Sequence, residues 1–269
     1  MKDYVLELAR SHEGYNAKLN VMREYLQAYI LRMLYAKKFF RATVFLGGTA
    51  LRFLHGLPRF SEDLDFSLVK KIEMPFVEII KILKNELSLA GYSVSVKYDD
   101  ESTVQYALIK FEGLMKEAGI SPHYEQLLSI KVDIDTNPPR GAGLETGIVN
   151  KYFPLSFLSY DLPSLFSGKI HCVLNRNYTK GRDLFDLGWY LSRWKDISPN
   201  FAFLDNALKQ TNWQGTYPAK ENWRNCLFEV VKNMDWDKVN ADVGRFLESS
   251  ADSTVFSKEN LLKLITATQ

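Results

Sequence analysis

The pattern of apolar and polar positions changes along the chain from helical spacing to strand alternation and back. Residues 16–40 contain no Gly or Pro, and apolar side chains recur at helical intervals from Leu19 to Leu34. Thr43–Leu46 is a short apolar run, and residues 61–69, 92–100, 103–113 and 127–137 alternate or run apolar as strands do. Residues 75–90 again predict an amphipathic helix, which Gly91 ends.

Beyond about Pro154 the strand pattern fades, and the remaining segments favour helices. There is no internal repeat, low-complexity tract or long linker. This order predicts an α+β fold, with a small mixed sheet in a lobe over residues 1–150 that includes the N-terminal helix. A helical lobe is expected over residues 151–269.

Composition is that of an ordinary globular protein, with 46% apolar and 25% charged residues. The net charge of +2, from 34 basic and 32 acidic residues, does not by itself indicate a nucleic-acid binder. Two cysteines without metal-binding spacing favour a reduced, cytoplasmic location. The first residues lack the apolar core of a signal peptide, and no apolar stretch approaches the ~20 residues of a membrane span.

Candidate chemistry begins with paired carboxylates on the predicted strands. Asp63 and Asp65 are two apart on a strand pattern, so their side chains leave the same face of the sheet. Asp133 and Asp135 repeat this spacing on a later strand. If the two strands are neighbours, the carboxylates converge, and Mg²⁺ or Mn²⁺ would relieve their repulsion. The alternative is a solvated strand face, since a bare DxD is common.

A glycine turn lies between the first strand and the helix that follows. Glycine permits positive φ and a close approach to a ligand, and free N–H groups at a helix start favour phosphate. Thr49 can cap the helix or donate to a phosphate oxygen. A plain tight turn at Gly47 and Gly48 is the alternative, but its fixed interval from the DxD strand strengthens the functional interpretation.

The continuous string GGTALRFLHGLPRFSEDLDFSL, residues 47–68, resembles the nucleotidyltransferase signature of the polymerase-β-like superfamily. The elements GGTALR, RxSEDLDF and KGRDLFDL together resemble the AbiEii/AbiGii toxin family of toxin–antitoxin systems. The resemblance covers roughly residues 40–195. It implies a polymerase-β-like nucleotidyltransferase lobe followed by a helical lobe.

The resemblance also implies roles for individual residues. The metal ligands would be Asp63, Asp65 and Asp133. Asp133 is preferred to Asp135 because the family pattern places the carboxylate inside the apolar run. The nucleotide-binding residues would be Gly47, Gly48 and Thr49 in the turn, followed by Arg59 and Ser61. Structural roles for Arg59 and Ser61 are equally compatible with the sequence.

A second charged stretch spans residues 167–187. Lys169 and Arg176, seven apart, share a helix face, and Arg182 and Asp183 open the next helix with Asp186 one turn later. A solvent-exposed face with helix-end ion pairs is an equally compatible interpretation. The resemblance implies that Lys169 and Asp183 belong to the catalytic site, with Arg182 in support. Arg176 and Arg182 are expected to bind the nucleotide by neutralising phosphate charge, and Asp186 is as well explained by helix pairing.

We therefore expect a Mg²⁺-dependent enzyme that transfers a nucleoside monophosphate from an NTP. The resemblance implies an RNA acceptor, with the tRNA 3′ end as the leading candidate, and a cognate antitoxin encoded alongside. Two alternatives remain open. One is nucleotidylation of a protein hydroxyl, which near-neutral charge permits. The other is a non-catalytic nucleotide-binding interaction module, against which the clustered aspartates argue.

Overall fold

A computed structural model describes residues 1–70, 74–176, 178, 180–248 and 256–267 of the 269-residue chain. The strands are β1 (Thr43–Leu46), β2 (Leu64–Leu68), β3 (Ser93–Asp99), β4 (Val104–Glu112), β5 (Leu128–Asp135), β6 (Leu144–Asn150) and β7 (Pro154–Tyr160). The helices are α1 (Lys2–Arg10), α2 (Tyr15–Ala36), α3 (Gly47–His55), α4 (Phe76–Leu89), α5 (Leu114–Glu117), α6 (Leu162–Asn175), α7 (Gly181–Arg193), α8 (Phe201–Gln210), α9 (Trp223–Lys232), α10 (Trp236–Val243) and α11 (Lys258–Thr266). Short 3₁₀ turns occupy Phe39–Arg41 and Gly244–Phe246.

The strands of the described residues form a seven-stranded mixed sheet in the order β3-β4-β5-β2-β1-β7-β6. β1 and β2 pair antiparallel with Phe45 opposite Phe66, whereas β2 and β5 pair parallel. The β4 strand is antiparallel to both β5 and β3, and β7 is parallel to β1. The five strands predicted from the sequence, which are β1 to β5 in chain order, are confirmed.

The β5 strand shows why the sheet has one apolar and one polar face. Its residues alternate strictly between buried and half-buried, so Ile130, Val132 and Ile134 enter the core while Lys131 and Asp133 lie on the other face. The core below the apolar face also contains buried residues of α2 and α4. The predicted period-two pattern therefore places charged side chains where solvent and ligands can reach them.

An aromatic cluster holds the central strands together. The rings of Phe45 and Phe66 stack with centroids 5.4 Å apart, and Phe157 of β7 packs at 5.3 Å from Phe45. Phe40 adds edge contacts to Phe157 and a tilted contact to Phe66. Because aromatic pairs bury large areas, this cluster stabilises the relative positions of β1, β2 and β7.

One sequence prediction was wrong: the chain beyond Pro154 does not turn directly to helices. β7 occupies Pro154–Tyr160, with Leu155 and Phe157 buried. The alternation is short and interrupted by serines, and the strand pairs with β1 far upstream at Phe45 opposite Ser159. A pairing between residues so distant in sequence leaves little local pattern. The downstream helices α6, α7, α9 and α10 were predicted and are present.

The chain divides into two compact units. The first comprises Met1–Gly56, Phe60–Asn137 and Thr146–Ser159, and the second comprises Leu57–Arg59, Pro138–Glu145 and Tyr160–Gln269. Each unit thus contains segments from both sides of residue 150. Across the described segments, no helix is both long enough and apolar enough to cross a membrane.

Candidate active site

Two carboxylates in the first unit lie side by side on the polar face of the sheet. Asp65 of β2 and Asp133 of β5 are register partners on adjacent parallel strands. Neighbouring strands are ~4.8 Å apart, so the two side chains leave the same face close together. Asp63 lies two residues before Asp65, directly ahead of β2, and its charge acts on Lys131 of β5 as those of Asp65 and Asp133 do. The two acidic strands are therefore neighbours, which is the condition under which the carboxylates were expected to converge.

Lys131 was not predicted as a site residue, yet its ammonium lies among these carboxylates. Its Nζ is 2.7 Å and 2.8 Å from the two carboxylate oxygens of Asp133. Burial opposes the charged ammonium, but the hydrogen bond to Asp133 and the charges of Asp133, Asp63 and Asp65 outweigh it, and the pKa of Lys131 rises above its ordinary value. The sequence signal was its position two residues before Asp133, on the same strand face.

The glycine turn packs directly against this acidic row. β1 ends at Leu46, the register partner of Asp65, and α3 begins at Gly47. Gly47 has φ +78°, and a Cβ atom there would lie 2.1 Å from Oδ2 of Asp65. Only glycine allows the backbone to come this close to the carboxylate. The predicted sequence of strand, glycine turn, helix and acidic strand is confirmed.

Thr49 connects the glycine turn to the segment that carries Asp63. Its side chain is fully buried, and its hydroxyl donates a hydrogen bond to the backbone carbonyl of Asp63. The hydroxyl therefore stabilises the position of the segment that carries Asp63. Its predicted contact with phosphate stays a prediction, as does that of Gly48, which lies in the first turn of α3.

A polar stripe on α2 supports the loop that precedes β2. Gln27 is fully buried, and its Nε2 donates to the backbone carbonyl of Ser61 at 3.1 Å. Arg23 lies 3.6 Å from Glu62. The stripe recurs at intervals of three and four residues and comprises Asn20, Arg23, Glu24 and Gln27, all of them buried. These four polar residues lie outside the apolar stripe that predicts the helix, so no sequence pattern indicated their burial.

Glu24 connects α2 to α3 through Arg52, the last residue of GGTALR. The carboxylate is 3% exposed and accepts hydrogen bonds from Arg52 Nε and from the Tyr152 hydroxyl at 2.9 Å. Lys151 Nζ lies 2.8 Å from it. The Arg52 guanidinium also stacks 4.0 Å from the centroid of the Phe60 ring. Arg52 therefore stabilises the packing of α3, the helix that begins at the glycine turn.

In the second unit, five predicted charged residues form one buried ion network. Lys169 Nζ lies 2.8 Å from Asp183 and 2.7 Å from Asp186. Arg59 donates two hydrogen bonds of 2.6 Å to Asp186, and Arg176 Nε lies 2.9 Å from Asp183. Three cations thus share two carboxylates, which leaves one surplus positive charge. The structure brings Lys169, Arg176 and Asp183 together as the sequence implied.

Electrostatics keep Asp183 and Lys169 of this network charged at neutral pH. Burial alone would raise the pKa of Asp183, but Lys169 and Arg176 outweigh it and lower the pKa to about 2. Burial opposes the charged form of Lys169, but the carboxylates of Asp183 and Asp186 outweigh it and raise its pKa. Breaking such a buried pair leaves an uncompensated charge, so the network stabilises the second unit only while it is complete.

Arg59 and Arg182 have structural contacts in the second unit. Arg59 is 2% exposed and forms a bidentate pair with Asp186. Of the two roles that the sequence left open for Arg59, nucleotide binding and structural support, this contact favours structural support. Arg182 stacks 4.2 Å from the centroid of the Phe246 ring, and its Nε lies 3.5 Å from Asp242. Its backbone N–H donates to the same carboxylate at 3.1 Å.

The acidic side chains beside the glycine turn offer oxygen donors for a divalent metal. Among the described residues, no three His, Cys, Asp or Glu side chains are grouped closely enough to hold a metal by themselves. Asp65 and Asp133 nevertheless supply a carboxylate pair with hard oxygen donors. Mg²⁺ is usually held by one or two carboxylates together with substrate phosphates. The residues therefore fit a Mg²⁺ ion completed by a nucleotide, and not a protein-only cage.

Comparison with known protein families identifies the family of this chain. The family described as "Nucleotidyl transferase AbiEii toxin, Type IV TA system" matches residues 29–257 of the sequence. This chain belongs to the AbiEii toxin family. The AbiEii chain is accordingly a nucleotidyltransferase that uses an NTP substrate, and it is the toxin component of a type IV toxin–antitoxin system, which implies an antitoxin partner.

Solved structures show the same fold as this AbiEii chain. A candidate nucleotidyltransferase from H. pylori is 19% identical with a TM-score of 0.54, covering 91% of each chain. JHP933 from Helicobacter pylori is 19% identical with a TM-score of 0.53, covering 91% of the AbiEii chain and 88% of its own. No curated protein sequence matches this chain. The predicted family and nucleotidyltransferase fold are confirmed.

Proposed function

We propose that this AbiEii chain transfers a nucleoside monophosphate from an NTP to a hydroxyl of an RNA acceptor, in a Mg²⁺-dependent reaction. The observation that supports this most directly is the placement of Asp65 beside Asp133, with the backbone of Gly47 against Asp65. That arrangement joins a carboxylate pair to a helix start, and these are the two elements that a metal–triphosphate complex requires.

The site residues have separate tasks in this proposal. Asp65 and Asp133, with Asp63 beside them, hold the metal. A bound divalent cation supplies neutralisation of phosphate charge and activation of the attacking hydroxyl. The backbone N–H groups that open α3, at Gly47 and Gly48, bind phosphate oxygens of the nucleotide. Ser61 and Thr49 keep the acidic segment in place through their backbone and side-chain contacts.

The transfer itself is an in-line displacement. The acceptor hydroxyl oxygen forms a bond to the α-phosphorus, while the bond from that phosphorus to the bridging oxygen of the β-phosphate breaks. Pyrophosphate leaves with the electron pair of the broken bond. The hydroxyl proton passes to a carboxylate oxygen of Asp133 and then to solvent.

For the second unit, the family resemblance is the ground on which catalytic roles are proposed. Lys169 would neutralise phosphate charge and Asp183 would position Lys169, with Arg176 and Arg182 as support. The surplus positive charge of the buried network is the feature that supports this assignment. A tRNA 3′ end as the acceptor is proposed on the resemblance alone.

A label-transfer experiment tests the function. The protein is incubated with Mg²⁺, each α-labelled NTP in turn, total cellular RNA and total cellular protein, with Asp65→Asn alongside. Label on a tRNA-sized band supports the proposal if it is absent for Asp65→Asn and if that variant is still folded. Label on protein would replace it with protein nucleotidylation. Bound NTP without any transfer would favour the non-catalytic alternative.

A further inference from the structure

The ammonium of Lys131 occupies the neighbourhood in which the proposed metal would bind. Its Nζ contacts both oxygens of Asp133, at 2.7 Å and 2.8 Å. Lys131 directly precedes Val132, the register partner of Leu64, and the charges of Asp63 and Asp65 also act on its ammonium. A divalent cation ligated by Asp133 needs carboxylate oxygens that the ammonium already contacts, and two cations at that distance repel each other.

A second partner for Lys131 lies on the neighbouring strand. Tyr106 of β4 is the register partner of Asp133, and its ring centroid is 5.2 Å from Lys131 Nζ. That distance is within the range of a cation–π interaction. The side chain of Lys131 is 41% exposed, so it has room to change rotamer. An ammonium displaced from Asp133 therefore has a place to go without becoming buried and unpaired.

We propose that Lys131 is an internal cation that competes with the divalent metal for Asp133. Without metal it compensates the repulsion among Asp63, Asp65 and Asp133 and stabilises the acidic face. Metal binding is then an exchange, in which the ammonium leaves Asp133 and moves toward the ring of Tyr106. The inference rests on the proposed function for the presence of the metal, but it assigns Lys131 a positioning role that sets how readily the metal binds.

The test measures the binding of Mn²⁺ and of Mg²⁺ to the full chain by calorimetry, without nucleotide. Lys131→Met removes the competing cation and is expected to bind Mn²⁺ about tenfold more tightly, at the lower end of effects from groups that contact a metal ligand. Lys131→Arg should bind the metal more weakly than wild type, since a guanidinium holds a carboxylate through two hydrogen bonds. Lys97→Met is the matched control, an exposed lysine on β3 of the same sheet, and it should leave the affinity unchanged.

A stability measurement provides the second readout. In EDTA, Lys131→Met should melt at a lower temperature than wild type, because three carboxylates lose their counter-ion. Added Mn²⁺ should raise its melting temperature more than that of wild type. A folded Lys131→Arg keeps the test valid even if Lys131→Met does not fold.

The outcomes separate this inference from the proposed function. Equal or weaker Mn²⁺ binding by Lys131→Met, while wild type binds the metal and Asp65→Asn does not, would overturn the competition and leave the metal site standing. Equal binding by Lys131→Arg and wild type would also overturn it. Absence of Mn²⁺ binding in wild type and in Lys131→Met alike would overturn the competition, whereas the proposed function fails only if the label-transfer experiment shows no transfer. Binding only in Lys131→Met would support competition in its strongest form.

Discussion

Gly47 and Asp65 are packed so closely that a Cβ atom on Gly47 would lie 2.1 Å from the Asp65 Oδ2 atom. Gly47 also has a positive φ of 78°. The backbone that opens α3 therefore determines where the Asp65 carboxylate can lie. The same contact places the N–H groups of a helix start beside a carboxylate, which is an unfavourable pairing for phosphate unless a cation lies between them.

The Gly47→Ala variant should lose activity because its added methyl displaces Asp65. A displacement of about 1 Å costs on the order of 100-fold in rate, and label transfer measures it. Gly56→Ala is the matched control, since Gly56 also has a positive φ of 73° but a Cβ there meets nothing within 4 Å. Both variants should lose roughly 1–2 kcal/mol of stability from the backbone. Equal activity in the two variants would refute the displacement.

The roles of Asp133 and Asp135, which lie on the same strand, can be distinguished by replacing each of them with asparagine. Asp133→Asn should reduce nucleotidyl transfer by about 100-fold or more, the scale of losing one preorganised electrostatic contact. Asp135 instead pairs with Ser67 and accepts a hydrogen bond from the Asn137 backbone N–H at 2.9 Å. Asp135→Asn should therefore retain most activity. A larger loss for Asp135→Asn would reverse the preference between the two carboxylates.

Arg59 is predicted to matter for stability. Arg59→Met leaves the buried Asp186 with fewer partners, and breaking a buried pair costs about 3–5 kcal/mol. Arg245→Met, which removes an exposed arginine 3.6 Å from Asp242, should cost under about 1 kcal/mol. Urea unfolding monitored by circular dichroism compares the two. If Arg59→Met unfolds like wild type but no longer binds NTP, a phosphate contact is the better assignment.

The stability conferred by Asp183 should depend on pH in the acidic range. Its pKa is lowered from 3.8 to about 2 in the folded protein, so it stabilises the fold above pH 4 and loses this contribution as the pH falls toward 2. The difference in unfolding free energy between wild type and Asp183→Asn should therefore shrink by about 2 kcal/mol across that window.

Urea titrations at several pH values measure this difference, with Asp205→Asn as the control. Asp205 is an exposed carboxylate paired with Lys209 at 2.6 Å on the surface of α8. Its substitution should leave a small difference from wild type, as exposed pairs contribute little. A difference for Asp183→Asn that does not change between pH 4 and pH 2 would contradict the charge coupling to Lys169 and Arg176.

The local elements of the site were predictable from the sequence because their determinants are local. Strand β1 and the helix end at Gly56 follow from a short apolar run and from glycine chemistry. Period-two alternation determines which face each side chain of β5 occupies, so Asp133 was correctly assigned to the polar face. The interval between the glycine turn and the DxD strand was enough to indicate nucleotide chemistry.

Only the tertiary structure decided which charged side chains meet. Arg59 and Asp186 are 127 residues apart, and the partners of the buried Glu24 on α2 come from α3 and from the segment before β7. A charged residue shows in sequence its type and its face but not its partner, because the partner is chosen by long-range packing. Burial then excludes water and leaves each charge dependent on the few groups that the fold has brought within hydrogen-bonding distance.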